Sequence, residues 1–147
     1  MMNTEPIIIE RTYDAPVAMV WSALTHKEEM KQWCFDIPDF EPVVGYEFTF
    51  EGGEEGKNYT HLCTVTEVVP LKKLAYTWRF KGYDGDSLVT YELYAEGDKT
   101  RLKLKHEGVD NFDKSVAGFA KENFVTGWTE IMGEMLRKHL DMQQQQN

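Results

Sequence analysis

From Tyr46 to Glu107 apolar and polar residues mostly alternate, and after residue 111 the apolar spacing becomes that of a helix. Tyr46, Phe48 and Phe50 alternate with Glu47, Thr49 and Glu51. A second strand is predicted from Asn58 to Val69, ending at Pro70. Leu74, Tyr76, Trp78 and Phe80 share one face against Ala75, Thr77 and Arg79. Val89, Tyr91, Leu93 and Ala95 oppose Thr90, Glu92, Tyr94 and Glu96. From Lys99 to Glu107, Leu102, Leu104 and His106 oppose Arg101, Lys103 and Lys105. Turn signals separate these runs: Gly52-Gly53-Glu54-Glu55-Gly56, Gly82-Tyr83-Asp84-Gly85-Asp86 and Gly97-Asp98. Turns this closely spaced force antiparallel neighbours, because parallel pairing needs a long crossover.

Ahead of this meander, Ile7, Ile9, Arg11 and Tyr13 alternate with Ile8, Glu10 and Thr12, predicting a strand from about Glu5 to Tyr13. Pro16 fits the first position of a helix, where its missing N–H costs nothing, and Val17, Val20, Trp21 and Leu24 follow at helical spacing. Lys27 to Trp33 predicts a second short helix. Behind the meander, Asn111 to about Leu140 reads as one long amphipathic helix. Its expected apolar stripe is Val116, Phe119, Ala120, Phe124, Trp128, Ile131, Met135 and Leu136. Such a stripe must be covered, and the strands are the large partner at hand. Strand, two short helices, a meander and a long helix imply the α+β class, with about six antiparallel strands wrapped around the helix. Residues 1–141 are expected to form a single domain, with Met142 to Asn147 a frayed tail.

Three glycines, Gly118, Gly127 and Gly133, interrupt the long helix. Each interior glycine costs about 1 kcal/mol against alanine. Gly127, beside Trp128, is expected to permit close approach of sheet or ligand, and Gly118 alternatively marks an irregular start, with the regular helix beginning a few residues later.

Charge and composition narrow the partners. At formal charge −9 the 147-residue chain is poorly suited to nucleic acid or an anionic membrane, both of which reward clustered Lys and Arg. No apolar run approaches the roughly 20 residues that span a bilayer. Met1 to Pro6 lacks the basic and apolar regions of a signal peptide, so a cytoplasmic location is expected. Cys34 and Cys63 lie far apart and are read as unpaired thiols. Lys99, Arg101, Lys103 and Lys105 form a basic ladder, explained by cross-strand pairing with Glu92 and Glu96.

Chemistry is sparse. His106 shares the inward face of its strand with Leu102 and Leu104, and an inward imidazole suits an acid or base near neutral pH. The competing reading is a structural histidine tying the strand end to the long helix. No catalytic residue is assigned beyond this weak candidate. His61 and Cys63 share one strand face, but further ligands at zinc-site spacing are missing, so neither metal nor cofactor is expected. The glycine-rich turn after Phe50 carries acids where a phosphate cradle needs amides and a lysine.

Several segments together resemble a known family. Asp14-Ala15-Pro16 with Val20-Trp21-Ser22-Ala23-Leu24-Thr25 is similar to the opening of the START-like, Bet v 1-type (helix-grip) superfamily, in the branch related to the C-terminal domain of Hsp90-ATPase activators. Trp33, Gly45-Tyr46-Glu47-Phe48, Val65 to Pro70 with Leu74-Ala75-Tyr76-Thr77-Trp78, Thr100 to Gly108, and Gly127-Trp128 with Ile131, Met135 and Leu136 follow in the same order. The resemblance implies a sheet gripping the terminal helix around an apolar cavity, as in relatives that bind lipids, hormones or polyketides. Trp21, Phe48, Tyr76, Trp78, Tyr91, His106, Phe124 and Trp128 are the expected ligand-binding set.

Three functions follow as expectations. The first is a module binding a hydrophobic small molecule, apolar or aromatic. The second is a polyketide-cyclase or hydratase-like enzyme using the same cavity, which requires polar groups converging on His106. The third is action on Hsp90. The activators that carry this domain have a further N-terminal domain with major Hsp90 contacts, which is not expected here. A homodimer is left open, since no sequence feature identifies an interface.

Overall fold

The computed structural model describes residues 6–33, 40–52, 59–112, 119 and 121–145. Six strands form one antiparallel sheet: β1 (Ile7–Tyr13), β2 (Glu47–Gly52), β3 (Tyr59–Val69), β4 (Lys73–Phe80), β5 (Ser87–Glu96) and β6 (Lys99–Glu107). Their spatial order is β1-β6-β5-β4-β3-β2. The meander β2 to β6 pairs by successive hairpins, whereas β1 lies at the far edge against β6, with Ile7 opposite His106 and Tyr13 opposite Thr100. The chain therefore crosses from one sheet edge to the other between β1 and β2. Helices α1 (Val17–Thr25) and α2 (Lys27–Trp33) form the first part of that crossing.

Alternation decides which face is covered. Ile7, Ile9 and Tyr13 of β1, Phe48 and Phe50 of β2, Cys63 and Val65 of β3, Leu74, Tyr76, Trp78 and Phe80 of β4, Val89, Tyr91 and Leu93 of β5, and Leu102 and Leu104 of β6 are all buried in one core cluster. The predicted inward rows of β4, β5 and β6 are buried except for Ala95, exposed at the end of β5, and Ala75 and Thr90 of the opposing rows are buried as well. Register shifts between Val65 and Glu67, a bulge that carries β3 past β4. At the start of α1, Pro16 is not the first helical residue. It has extended ψ and caps the helix, its carbonyl accepting from Met19 and Val20 N–H at 3.0 and 3.2 Å. The Thr100 hydroxyl donates to Ala15 C=O at 2.8 Å and anchors that entry to β6.

The terminal helix lies on the covered face, and it departs from the predicted one in four ways. A short 3-10 turn occupies Val109–Asn111, where the helix was expected to start, and the regular helix α3 (Lys121–Glu130) instead follows the alternative of a start a few residues after position 118. Val116, Gly118 and Ala120 of the expected helix lie outside the described residues. A π-helical turn follows at Ile131–Met135, then α4 (Leu136–Gln145), which extends beyond the expected end near Leu140.

Third, the π turn changes the buried register. Trp128, Met132, Leu136 and Leu140 are buried, while Met135, expected in the stripe, is 41% exposed and Met132 is fully enclosed. Residues four apart drift about 40° per step in a helix of 3.6 residues per turn. One wider turn cancels that drift and keeps the four-residue series on the sheet. The Tyr13 hydroxyl of β1 donates to the Met132 carbonyl inside this turn at 2.5 Å. Burial raises the Tyr13 pKa well above its ordinary value, so the hydroxyl stays protonated as a donor.

The fourth departure is Gly127. A Cβ placed there would meet nothing within 4 Å, so this glycine is not required by close packing. Close approach occurs instead at Gly85 (φ +106°) in the β4–β5 loop, where a Cβ would stand 2.5 Å from the Asn111 carbonyl oxygen. In the turn after β2, residues 53–56, and the predicted strand start Asn58, lie outside the described residues, as do Cys34 and the last two residues of the tail.

Candidate functional site

The inner face of the sheet carries a continuous aromatic wall that meets the terminal helix. Phe48 of β2 packs edge-on to Tyr76 of β4 with ring centroids 5.2 Å apart. Tyr76 and Tyr91 lie 5.9 Å apart, and their hydroxyls share a hydrogen bond of 2.9 Å. Tyr91 and Trp78 both contact Trp128 of α3, at 6.2 and 5.4 Å. His106 packs on Trp78 at 5.5 Å and on Phe124 at 5.2 Å. The structure thus brings together seven of the eight residues expected to form the ligand-binding set. Trp21 stands apart: it packs half-buried against the core from α1, with no ring contact to the others among the described residues.

His106 is completely enclosed, at 0% exposure, and both ring nitrogens are engaged. The Trp128 indole N–H donates to His106 Nδ1 at 3.0 Å. An indole nitrogen can only donate, so Nδ1 is the acceptor and the ring proton sits on Nε2. His106 Nε2 then donates to Ser87 Oγ at 2.7 Å, and Ser87 donates to the Trp78 carbonyl at 2.9 Å. Every donor in this chain has an acceptor. Burial lowers the His106 pKa from 6.5 to about 3, keeping the ring neutral. A histidine so placed ties β6 to the helix. It has neither the exposure nor a vacant nitrogen for acid–base work near neutral pH, so the weak catalytic candidacy of His106 is not supported by its geometry.

His61 and Cys63 also face inward, but as packing. The His61 ring lies stacked on Phe50 at 4.3 Å and against Phe80 at 4.8 Å. Its Nδ1 lies 3.0 Å from the Tyr59 carbonyl oxygen and 3.3 Å from that of Phe50, so it is the protonated nitrogen. Desolvation lowers the His61 pKa and raises that of the buried Cys63 thiol. Among the described residues no three His, Cys, Asp or Glu side chains gather where a metal ion could be held.

On the outer face the basic ladder is neutralised by neighbours. Arg101 pairs with Glu10 at 3.0 Å and Glu96 at 3.3 Å, and its guanidinium lies over the Tyr94 ring. Lys103 stands between Glu10 and Glu92 in register. The partner on β1, Glu10, was not part of the expected pairing, because strand order is not readable from alternation.

A polar cluster with no sequence signal joins the three remaining helices. His139 Nε2 of α4 lies 3.0 Å from Glu29 Oε1 of α2, and Ser22 of α1 donates to the other Glu29 oxygen. The His139 ring stacks on Trp33, whose indole N–H donates to the Ala23 carbonyl at 2.9 Å. Glu29 lies between Ser22 and His139, so the histidine does not reach the serine and the trio is not a nucleophile–base pair.

Comparison with known proteins places this arrangement. The family described as Activator of Hsp90 ATPase homolog 1-like protein matches residues 14–141. The chain belongs to this family. Among solved structures, protein MLL2253 from Mesorhizobium loti is 27% identical, with 94% of this chain and 98% of that chain covered and a TM-score of 0.75. CalU16 from Micromonospora echinospora is also 27% identical, over 89% of this chain and 71% of that chain, with a TM-score of 0.67. DynU16, described as a protein in the dynemicin biosynthetic locus, is 20% identical with a TM-score of 0.77. It is covered to 48% of its length and shows the shared fold alone. Comparison with curated proteins gave no match. The helix-grip architecture expected of this Hsp90-activator-like family is the one observed. Among the described residues no helix is long and apolar enough to cross a membrane.

Proposed function

We propose that this family member is a cytoplasmic small-molecule-binding protein that holds an apolar or aromatic ligand between the sheet and the terminal helix. The observation that carries the reading is the aromatic wall from Phe48 through Tyr76 and Tyr91 to Trp128. Within it the Tyr76–Tyr91 hydroxyl pair is a local polar feature on an apolar surface. Binding sites for small molecules combine such an apolar lining with a few placed polar groups. The aromatic rings offer stacking faces, and the hydroxyl pair can exchange its mutual hydrogen bond for one to a ligand oxygen or nitrogen.

An enzyme of the cyclase or hydratase type ranks lower, because the nitrogens of His106 are consumed by Trp128 and Ser87. Action on Hsp90 rests on the family description, and no feature of the aromatic wall favours it.

Native mass spectrometry and thermal-shift titration against a panel of hydrophobic and aromatic metabolites test the proposal. Stoichiometric mass additions accompanied by a rise in Tm are expected for at least one ligand class. A crystal structure with a fully packed interior, together with no hit across the panel, would sink it.

A further inference from the structure

The turn between β3 and β4 contains a residue the fold does not explain. Leu71 has φ +67°, the only positive φ at a non-glycine residue among the described residues. Val69 to Lys72 is a four-residue turn closed by Lys72 N–H to the Val69 carbonyl at 2.9 Å. With Pro70 second and a positive φ third, it is a type II turn, whose third position favours glycine or asparagine. Leucine is strained there, and its side chain, 43% exposed, recovers little through burial. Strain of this kind gathers at ligand-contacting segments.

Leu71 stands on the wall of an open groove of about 650 Å³ between the start of α1, this turn and the end of β5. Val17, Val69, Leu71, Leu93, Tyr94 and Ala95 give it an apolar lining, and Lys72, Lys73 and Glu92 supply its charge. The volume lies in the range of small-molecule sites. Two of the three charges are already balanced. Lys73 pairs with Glu67 at 3.2 Å and stands opposite Glu92. Glu92 in turn faces Lys103 across β6 and accepts the Tyr94 hydroxyl at 3.2 Å. Lys72 has no ion-pair partner among the described residues, so the groove presents one unbalanced positive charge beside an apolar trough.

We infer that this groove is a second binding site, for an amphipathic monoanion. It would take an alkyl or aryl carboxylate whose apolar body lies along Leu71, Val17 and Leu93 and whose carboxylate pairs with Lys72. Leu71 is held out by its strained turn to cover the ligand's apolar body. This site is separate from the aromatic interior and does not depend on it.

Decanoate is the probe, with decanol as its neutral counterpart, titrated into the 15N-labelled chain and followed by amide shifts. Saturable shifts are expected at Val17, Leu71, Lys72, Leu93 and Ala95. Lys72→Gln weakens decanoate about two- to fivefold, the scale of one exposed ion pair, and leaves decanol unchanged. Leu71→Gly weakens both probes while Tm stays level or rises, because glycine relieves the turn. Shifts confined to the interior around Tyr76 and Trp128 would overturn the groove site while supporting interior binding. Shifts at neither place, decanoate affinity unmoved by both variants, or a dimer in sedimentation that closes the groove would also overturn it.

Discussion

Trp128 donates its indole N–H to His106 Nδ1 across 3.0 Å, and this single bond fixes the tautomer of a fully buried histidine. With Nδ1 occupied, the proton resides on Nε2 and is passed as a hydrogen bond to Ser87. The pH dependence of stability follows from this. Burial places the folded-state pKa at about 3, below the ordinary value near 6.5 of the unfolded chain. The unfolded state therefore binds the extra proton first as pH falls. The His106 contribution is complete above about pH 6.5 and is lost progressively between about 6.5 and 3, at up to ~1.4 kcal/mol per pH unit. His61, lowered by burial as well, adds to the same trend. Urea unfolding at intervals from pH 7.5 to 4.5 should show this fall. The 15N spectrum of His106 should keep the neutral Nε2–H signature across the folded range. A His106 resonance that titrates near pH 6.5 in the folded protein would contradict the assignment.

A similar dependence on one donor holds at the π turn. The Met132 carbonyl sits where the helical ladder is widened, and the Tyr13 hydroxyl reaches it from β1 at 2.5 Å. Tyr13→Phe keeps the ring packing and removes the donor. A buried carbonyl deprived of its partner costs about 1–3 kcal/mol. Thermal or urea unfolding of Tyr13→Phe should show a loss in that range. A difference under about 0.5 kcal/mol, the scatter of ordinary surface changes, would mean the π turn does not depend on this bond.

The two glycine environments predict opposite signs. At Gly127 a Cβ has open space around it, so Gly127→Ala should stabilise α3 by about 0.5–1 kcal/mol through helix propensity. At Gly85 the Asn111 carbonyl oxygen, 2.5 Å from the would-be Cβ, and the positive φ both oppose a side chain. Gly85→Ala should cost at least ~1 kcal/mol, since the left-handed backbone alone accounts for about that much. Differential scanning of the two variants beside the parent chain checks the pair, and equal shifts of the same sign would refute the distinction.

These sites show where the sequence is transparent. The inward rows Leu74/Tyr76/Trp78 and Leu102/Leu104/His106 follow from alternation, because a strand's faces have a fixed period of two. The strand-borne part of the aromatic wall was readable in that way, whereas Phe124 and Trp128 came from the helical spacing. The helix was not, since a π turn shifts register without any residue type announcing it, and the 3.6 spacing favoured Met135 over Met132. Hydrogen-bond partners were also hidden. Ser87 meets His106 across 19 residues and Glu29 meets His139 across 110, contacts set by strand order and helix packing. Gly127 shows a related limit: a glycine beside a tryptophan suggests close approach of the sheet, but that depends on which face of the helix the glycine occupies, and here a would-be Cβ meets nothing within 4 Å.

The Tyr76–Tyr91 hydroxyl pair provides the sharpest test of how the interior selects a ligand. Both hydroxyls are buried among rings, and their mutual bond is 2.9 Å long. Opening that pair to a ligand exchanges one neutral hydrogen bond for another at little net cost, whereas removing both hydroxyls denies the ligand its hydrogen bond, worth about 0.5–1.5 kcal/mol net. The double variant Tyr76→Phe/Tyr91→Phe retains both rings and removes both hydroxyls. It should weaken an aromatic ligand bearing a carbonyl or hydroxyl by about three- to tenfold. A hydrocarbon of the same size, held by stacking alone, should bind with unchanged or improved affinity. Isothermal titration with a matched pair such as a naphthol and naphthalene separates the two. If both lose affinity equally, the hydroxyls act by shaping the interior; if neither changes, the ligand lies away from this wall.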